Sequence, residues 1–147
     1  MNLSLSGLVS QYQSLRQNHS ESVLATIIET TGSTYRKAVT RILIARQGQL
    51  FGVLGGEALR QTSLKEVRQV FISKQNCIIV IDNSYSDEFD IHHELEPNAE
   101  IYVLLEYCYQ QNNCSILGLI RQSVKERQAM AIATICSSEL ERCTNQT

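Results

Sequence analysis

The stretch from Val23 to Gly56, VLATIIETTGSTYRKAVTRILIARQGQLFGVLGG, constrains the fold more than any other part of the chain. Its first run, Val23 to Thr30, is rich in β-branched residues and almost continuously apolar, the pattern of a central strand buried on both faces. Two small-residue loops follow apolar runs here. Gly32-Ser33-Thr34-Tyr35-Arg36-Lys37 supplies hydroxyls, a flexible glycine and two cations directly after the first run. Gly55-Gly56 ends the run Leu50 to Leu54 and opens a helical segment, whose first N–H groups lack internal partners and carry the positive end of the helix dipole. Strand termini that deliver such loops build anion pockets from backbone.

Periodicity extends this reading to an α/β fold, a mixed β-sheet packed with helices in a single compact domain. Leu5, Leu8, Val9, Tyr12 and Leu15 follow three-and-four spacing and predict an opening amphipathic helix with a serine cap. Arg41 to Arg46 and Leu50 to Leu54 flank Gln47-Gly48-Gln49, where glycine supplies positive φ for a hairpin. Glu57 to Lys74 is a helix with Leu64, Val67, Val70 and Phe71 as its inner stripe, and Cys77 to Ile81 a buried strand. Asn83 to Asn98 is a polar, acidic loop with the sole proline; Ile101 to Leu105 is a strand, Ile116 to Arg127 a helix and Ala129 to Cys136 a final strand. Ala-Thr-Ile recurs in the first and last strands, a match that chance explains.

With 147 residues, the chain can bury roughly two-thirds of its unfolded surface in one core. Its formal charge of −2, from 13 basic and 15 acidic side chains, supplies no field for nucleic acid and no polybasic patch for a membrane. The N-terminus has no signal-like apolar core, so a cytoplasmic location is expected. Five cysteines without a CxxC pair read as reduced, mostly buried thiols, and Cys108 and Cys114 flank a polar turn that could bring them together. His92 and His93 among Asp87, Glu88, Asp90, Glu94 and Glu96 read as a solvated loop, and no metal site is assigned. Glu29 and Glu106, near strand ends, could pair in a pocket, but no nucleophile accompanies them and no catalytic residue is assigned.

The candidate binding residues are Gly32, Ser33, Thr34, Arg36, Lys37, Arg41, Gly55 and Gly56. The hydroxyls and backbone N–H groups can donate to phosphate oxygens, Arg36 offers a planar fork and Lys37 a mobile charge. Arg41 either faces the same pocket or flanks the sheet. A solvated turn at Gly32 and a tight strand-to-helix connection at Gly55-Gly56 are the structural alternatives. The second loop matches neither the Gly-x-Gly-x-x-Gly fingerprint nor a Walker loop, and Glu57 in the first helical turn would compete with a phosphate.

Three stretches, LATIIETTGSTYRK (Leu24 to Lys37), GQLFGVLGGEAL (Gly48 to Leu59) and EIYVLLE (Glu100 to Glu106), resemble in order and spacing the N-terminal domain of the XdhC/CoxI family. AMAIATICSSE (Ala129 to Glu139) is similar to that family's next strand. The resemblance implies an accessory protein that binds molybdenum cofactor or a related pterin phosphate and serves a molybdenum hydroxylase such as xanthine dehydrogenase, without turnover of its own. The family's cysteine positions fall on Ala58 and Pro97, its acid on Arg60 and its usual proline on Tyr35, which counts against sulfur chemistry there. Its C-terminal dinucleotide-fold domain is expected to be absent. Two other readings stand beside it: a relative that keeps the fold as an interaction or regulatory module, dimerising as a homodimer through its sheet edge or helices, and a binding protein or enzyme for another phosphorylated small molecule.

Overall fold

The computed structural model describes residues 4–31, 40–53, 57–82, 100–109 and 115–133. The elements run α1 (Leu5–Gln17), β1 (Ser22–Thr31), β2 (Arg41–Ala45), β3 (Leu50–Phe51), α2 (Glu57–Ser73), β4 (Cys77–Asp82), β5 (Glu100–Cys108) and α3 (Ser115–Glu126). They form one five-stranded sheet of order β3-β2-β1-β5-β4. The expected α/β class, with one sheet packed by helices, is the observed one.

β1 lies at the centre because its sequence tolerates no exposed face. Val23, Ala25 and Ile27 join Ile42, Ile44, Val103 and Leu105 under Val67, Val70 and Phe71 of α2. Leu24 points the other way, and with Leu43 and Cys108 packs against Leu8, Val9 and Tyr12 of α1 and Ile116, Leu117 and Ile120 of α3. Alternation along one strand thus feeds two cores, and the molecule is a sheet with α2 on one face and α1 and α3 on the other. The predicted inner stripe of α2 is the observed one, Leu64 being partly buried.

All four strand pairings are antiparallel, where the sequence suggested a mixed sheet. The reason is topological. The α2 crossover joins β3 to β4, which run in the same direction, but it carries the chain from one edge of the sheet to the other, so the two parallel strands never meet. The second correction concerns the final strand. Residues 129–133 join no ladder, and Met130 and Ile132 are 43% and 37% exposed, while 134–136 lie outside the described residues. Alternating alanines satisfy the strand pattern but offer little apolar area to bury, and no edge receives them among the described residues.

Caps fix the helix ends. Ser4, as expected, accepts a hydrogen bond from Gly7 N–H at the start of α1. Beyond the C-termini, His19, Lys74 and Arg127 take φ of 54°, 57° and 51°. Ser20 N–H to Leu15 C=O closes the α1 end as a Schellman turn. The β2–β3 hairpin turns at Gly48, φ 87°, as predicted.

One end of the sheet is clamped by charge. Glu21, just before β1, accepts hydrogen bonds from Arg46 after β2, from Lys74 after α2 and from the Tyr107 hydroxyl on β5. Burial alone would raise its pKa, but the three donors outweigh it and hold the carboxyl below its usual range. Lys74 also lies over the rings of Tyr107 and Tyr109.

Cysteine usage departs from the reading of five reduced thiols. Cys77, buried as expected, is disulfide-bonded, and Cys108 is a buried thiol at 1% exposure. The spacing of cysteines along the chain carries no information about which strands bring two of them together.

Two outcomes test this packing. Leu24→Ala should lower unfolding free energy by about 2–5 kcal/mol in urea titrations, since Leu24 is fully buried. Gly52→Ala should cost about 1 kcal/mol or more, because Gly52 has φ 111° and an added Cβ would meet Ile42 Cγ2 at 3.0 Å and Arg41 O at 3.3 Å.

Candidate functional site

The sheet has two unlike ends. At the clamped end, α1 enters β1, β2 turns into β3, α2 enters β4 and β5 leaves toward α3. At the other end, β1 finishes at Thr31, in register with Glu100 of β5, itself paired with Asp82 of β4. β2 begins there at Arg41, and β3 leaves toward that end before α2 starts. The described strand ends that flank residues 32–39, 54–56 and 83–99 therefore share one end of the sheet. Of the candidate residues, Gly32, Ser33, Thr34, Arg36, Lys37, Gly55 and Gly56 lie outside the described residues, as do His92 and His93.

Arg41 is described, and its place is informative. It opens β2, pairs with Thr26, and alternates with Ile42, so its side chain lies on the α1/α3 face with Leu43. Glu106 on β5 lies on the same face, beside Leu24 on the other flank of β1. Arg41, Thr26 and Glu106 thus span three neighbouring strands. Burial pushes the Glu106 carboxyl above its ordinary range, and the Arg41 charge partly offsets that rise.

Three atoms of this group, Arg41 Nε, Thr26 Oγ1 and Glu106 Oε2, are buried without a hydrogen-bond partner. Thr26 is 6% exposed. Each such orphan costs about 1–3 kcal/mol unless a bound water or ligand satisfies it. Hydroxyl, guanidinium and carboxyl together offer donors and acceptors to a polar group lying across β1.

Glu29 does not complete a carboxylate pair with Glu106. A bulge at Ile28 puts Glu29 opposite Tyr102, four residues from Glu106 along β5 and so roughly 13 Å away, and Glu29 is exposed. Among the described residues, no group of three His, Cys, Asp or Glu side chains could hold a metal ion, and no helix is long and apolar enough to cross a membrane.

Thr26 escaped the sequence reading because a β-branched residue inside an apolar strand reads as packing. Ser63 escaped too. It sits at the spacing of the α2 inner stripe, with Val67 and Val70, and is 1% exposed with its hydroxyl unpartnered. A polar residue at a stripe position was the available signal.

Known proteins bear on this arrangement. Residues 15–82 match the XdhC and CoxI family. That segment holds β1, the β2–β3 hairpin, α2, β4 and both candidate loops. Among solved structures, a Bacillus halodurans chain described as a xanthine dehydrogenase is similar, at a TM-score of 0.61 and 24% identity over 80% of this chain. At that identity the likeness concerns the fold. The match spans 34% of the Bacillus chain, about a third of its length. No curated protein matches the chain.

The Glu106 environment makes a pH prediction. A carboxyl whose folded pKa is raised binds its proton more tightly in the folded than in the unfolded state. Its stabilising contribution is complete below the unfolded value and is lost as pH rises through the folded one. In urea titrations from about pH 4 to about pH 8, the native chain should lose stability relative to Glu106→Gln over that window. Arg41→Gln should move the window upward, since Arg41 lowers the Glu106 pKa.

Proposed function

We propose that the chain is an XdhC/CoxI-like accessory protein that binds molybdenum cofactor, or a related pterin phosphate, and assists maturation of a molybdenum hydroxylase such as xanthine dehydrogenase. The observation that carries this reading is the family match over residues 15–82, a segment whose described strands lead toward both small-residue loops at one end of the sheet. The similar fold of a Bacillus halodurans xanthine dehydrogenase chain supports the same class of client enzyme.

The residues available suit such a ligand. Gly32, Ser33, Thr34, Arg36 and Lys37 would hold the phosphate through hydroxyls, backbone N–H groups and two cations, with Gly55 and Gly56 admitting it close to the α2 N-terminus. Arg41, Thr26 and Glu106 carry orphaned donors and acceptors of the kind a pterin's amide-like edge requires. When bound, the cofactor supplies the metal chemistry of the client hydroxylase, and this chain's part is to hold and release it. The reading includes no catalytic residue, a cytoplasmic location and no nucleic acid or membrane partner.

A second reading, a relative that keeps the fold as an interaction module, has one observation in its favour. Ile72 on α2 and Val124 on α3 are 73% and 59% exposed, one apolar side chain on each face of the molecule that a partner could cover.

Expression in a host that makes molybdenum cofactor, followed by purification and fluorescence detection of released pterin, tests the first reading. About one pterin per chain is expected. Arg36→Ala with Lys37→Ala should lower that content at least tenfold while shifting Tm by only a few degrees, since solvated charges contribute about 0–1 kcal/mol to folding. Pterin-free protein that still co-elutes with a hydroxylase would select the interaction module. Replacing all five cysteines, by Ala or Ser according to burial, should leave pterin content unchanged if the fold is retained; a loss traced to one exposed thiol would restore a thiol-dependent mechanism.

A further inference from the structure

On the α1/α3 face of the sheet, a cation and a carboxyl stand near one another without meeting. Arg41 on β2 lowers the pKa of Glu106 on β5, yet Arg41 Nε and Glu106 Oε2 are both buried without a hydrogen-bond partner. On β1 between them, Thr26 is 6% exposed and its hydroxyl is orphaned as well. Resting on the reading of the chain as a pterin binder, we infer that Glu106 is the residue that selects the 2-amino-4-oxo edge of the pterin ring. Its carboxylate accepts from the ring N–H and the 2-amino group, while Arg41 and Thr26 donate to the 4-oxo oxygen.

The charges select that chemistry. A simple anion would answer Arg41 but face the Glu106 carboxyl, and a simple cation would do the reverse. A neutral planar edge with two adjacent donors followed by an acceptor answers both sides at once, because a carboxylate only accepts and a guanidinium only donates. Burial disfavours the charged form of Glu106, and two hydrogen bonds donated to its carboxylate offset that cost. A 2,4-dioxo ring turns a carbonyl oxygen toward the carboxylate where the amino group would stand, so it loses one hydrogen bond and gains a repulsion.

The fold leaves this half of the face within reach. α1 and α3 pack over Leu24, Leu43 and Cys108, whereas Arg41 and Glu106 are only half-buried. Val80 pairs with Tyr102 further along the same face and is exposed, so the two helices end short of the loop end of the sheet.

Fluorescence titration of the full chain, purified from a host unable to make molybdenum cofactor, with pterin, 3-methylpterin and lumazine tests the inference. Pterin should bind saturably and at least tenfold more tightly than lumazine, its 2,4-dioxo analogue, or 3-methylpterin, which lacks the ring N–H. Glu106→Gln should weaken pterin at least tenfold and reverse the order in favour of lumazine, since a glutamine amide donates to the 2-oxo oxygen and accepts from the ring N–H. That gain of lumazine binding is a result no misfolded variant gives. Thr26→Val should weaken pterin several-fold while raising the Tm of the ligand-free protein, because the orphaned hydroxyl is gone. Equal binding of pterin and lumazine, a Glu106→Gln variant that keeps the native preference, or no saturable binding, which would leave the group to ordered water, would overturn it. Native protein that carries cofactor yet does not distinguish pterin from lumazine would overturn this inference alone. Protein that purifies without cofactor from a cofactor-producing host, yet selects pterin over lumazine, would overturn the cofactor reading alone.

Discussion

Everything in this structure depends on β1 having no free side. Its backbone is committed to β2 and β5, and from Ser22 to Ile27 its side chains are buried on both faces. The two cores meet through this strand and its two neighbours, since α2 packs on one face of the sheet and α1 and α3 cover the other. A strand so placed cannot shift by one residue without exchanging Val23, Ala25 and Ile27 for Leu24 and Thr26, which would put a hydroxyl under α2. The register is therefore fixed by burial, and the positions of Arg41 opposite Thr26 and of Glu106 opposite Leu24 follow from it.

That fixed register is what makes the polar interruption on the α1/α3 face meaningful. A leucine or valine at position 26 would extend the apolar layer formed by Leu24 and Leu43 without cost to the β-ladder. The chain instead places a threonine there, opposite Arg41 on β2 and Leu104 on β5, with the raised-pKa carboxyl of Glu106 two residues further along β5, opposite Leu24. On the α2 face the corresponding departure is Ser63, beside a cavity walled by the hairpin. Both faces of the sheet thus carry polar groups that packing alone does not explain, three on the α1/α3 side and Ser63 on the other.

Much of this architecture was legible in local sequence. The unbroken apolar run from Val23 announced a doubly buried strand, Gln47-Gly48-Gln49 announced the hairpin, and Leu64, Val67, Val70 and Phe71 announced the inner side of α2. What escaped depends on contacts distant in sequence. Strand order cannot be read from periodicity, so nothing told the reader that the α2 crossover spans the whole sheet and leaves every ladder antiparallel. Ala129 to Ala133 has the alternation of a strand but finds no edge. For Arg41 the sequence leaves two placements open, facing the pocket or flanking the sheet, and its partners across the sheet decide where it points. The Cys77 disulfide belongs to the same class of long-range fact.

The cluster around Glu21 divides the labour of the chain. By joining the segments that precede β1, follow β2 and follow α2 to a side chain of β5, it concentrates long-range electrostatic anchorage at one end of the sheet. The long connections all leave from the other end. Substitutions made there leave untouched the residues that hold the strands in register, so the two ends of the sheet answer to separate physical demands.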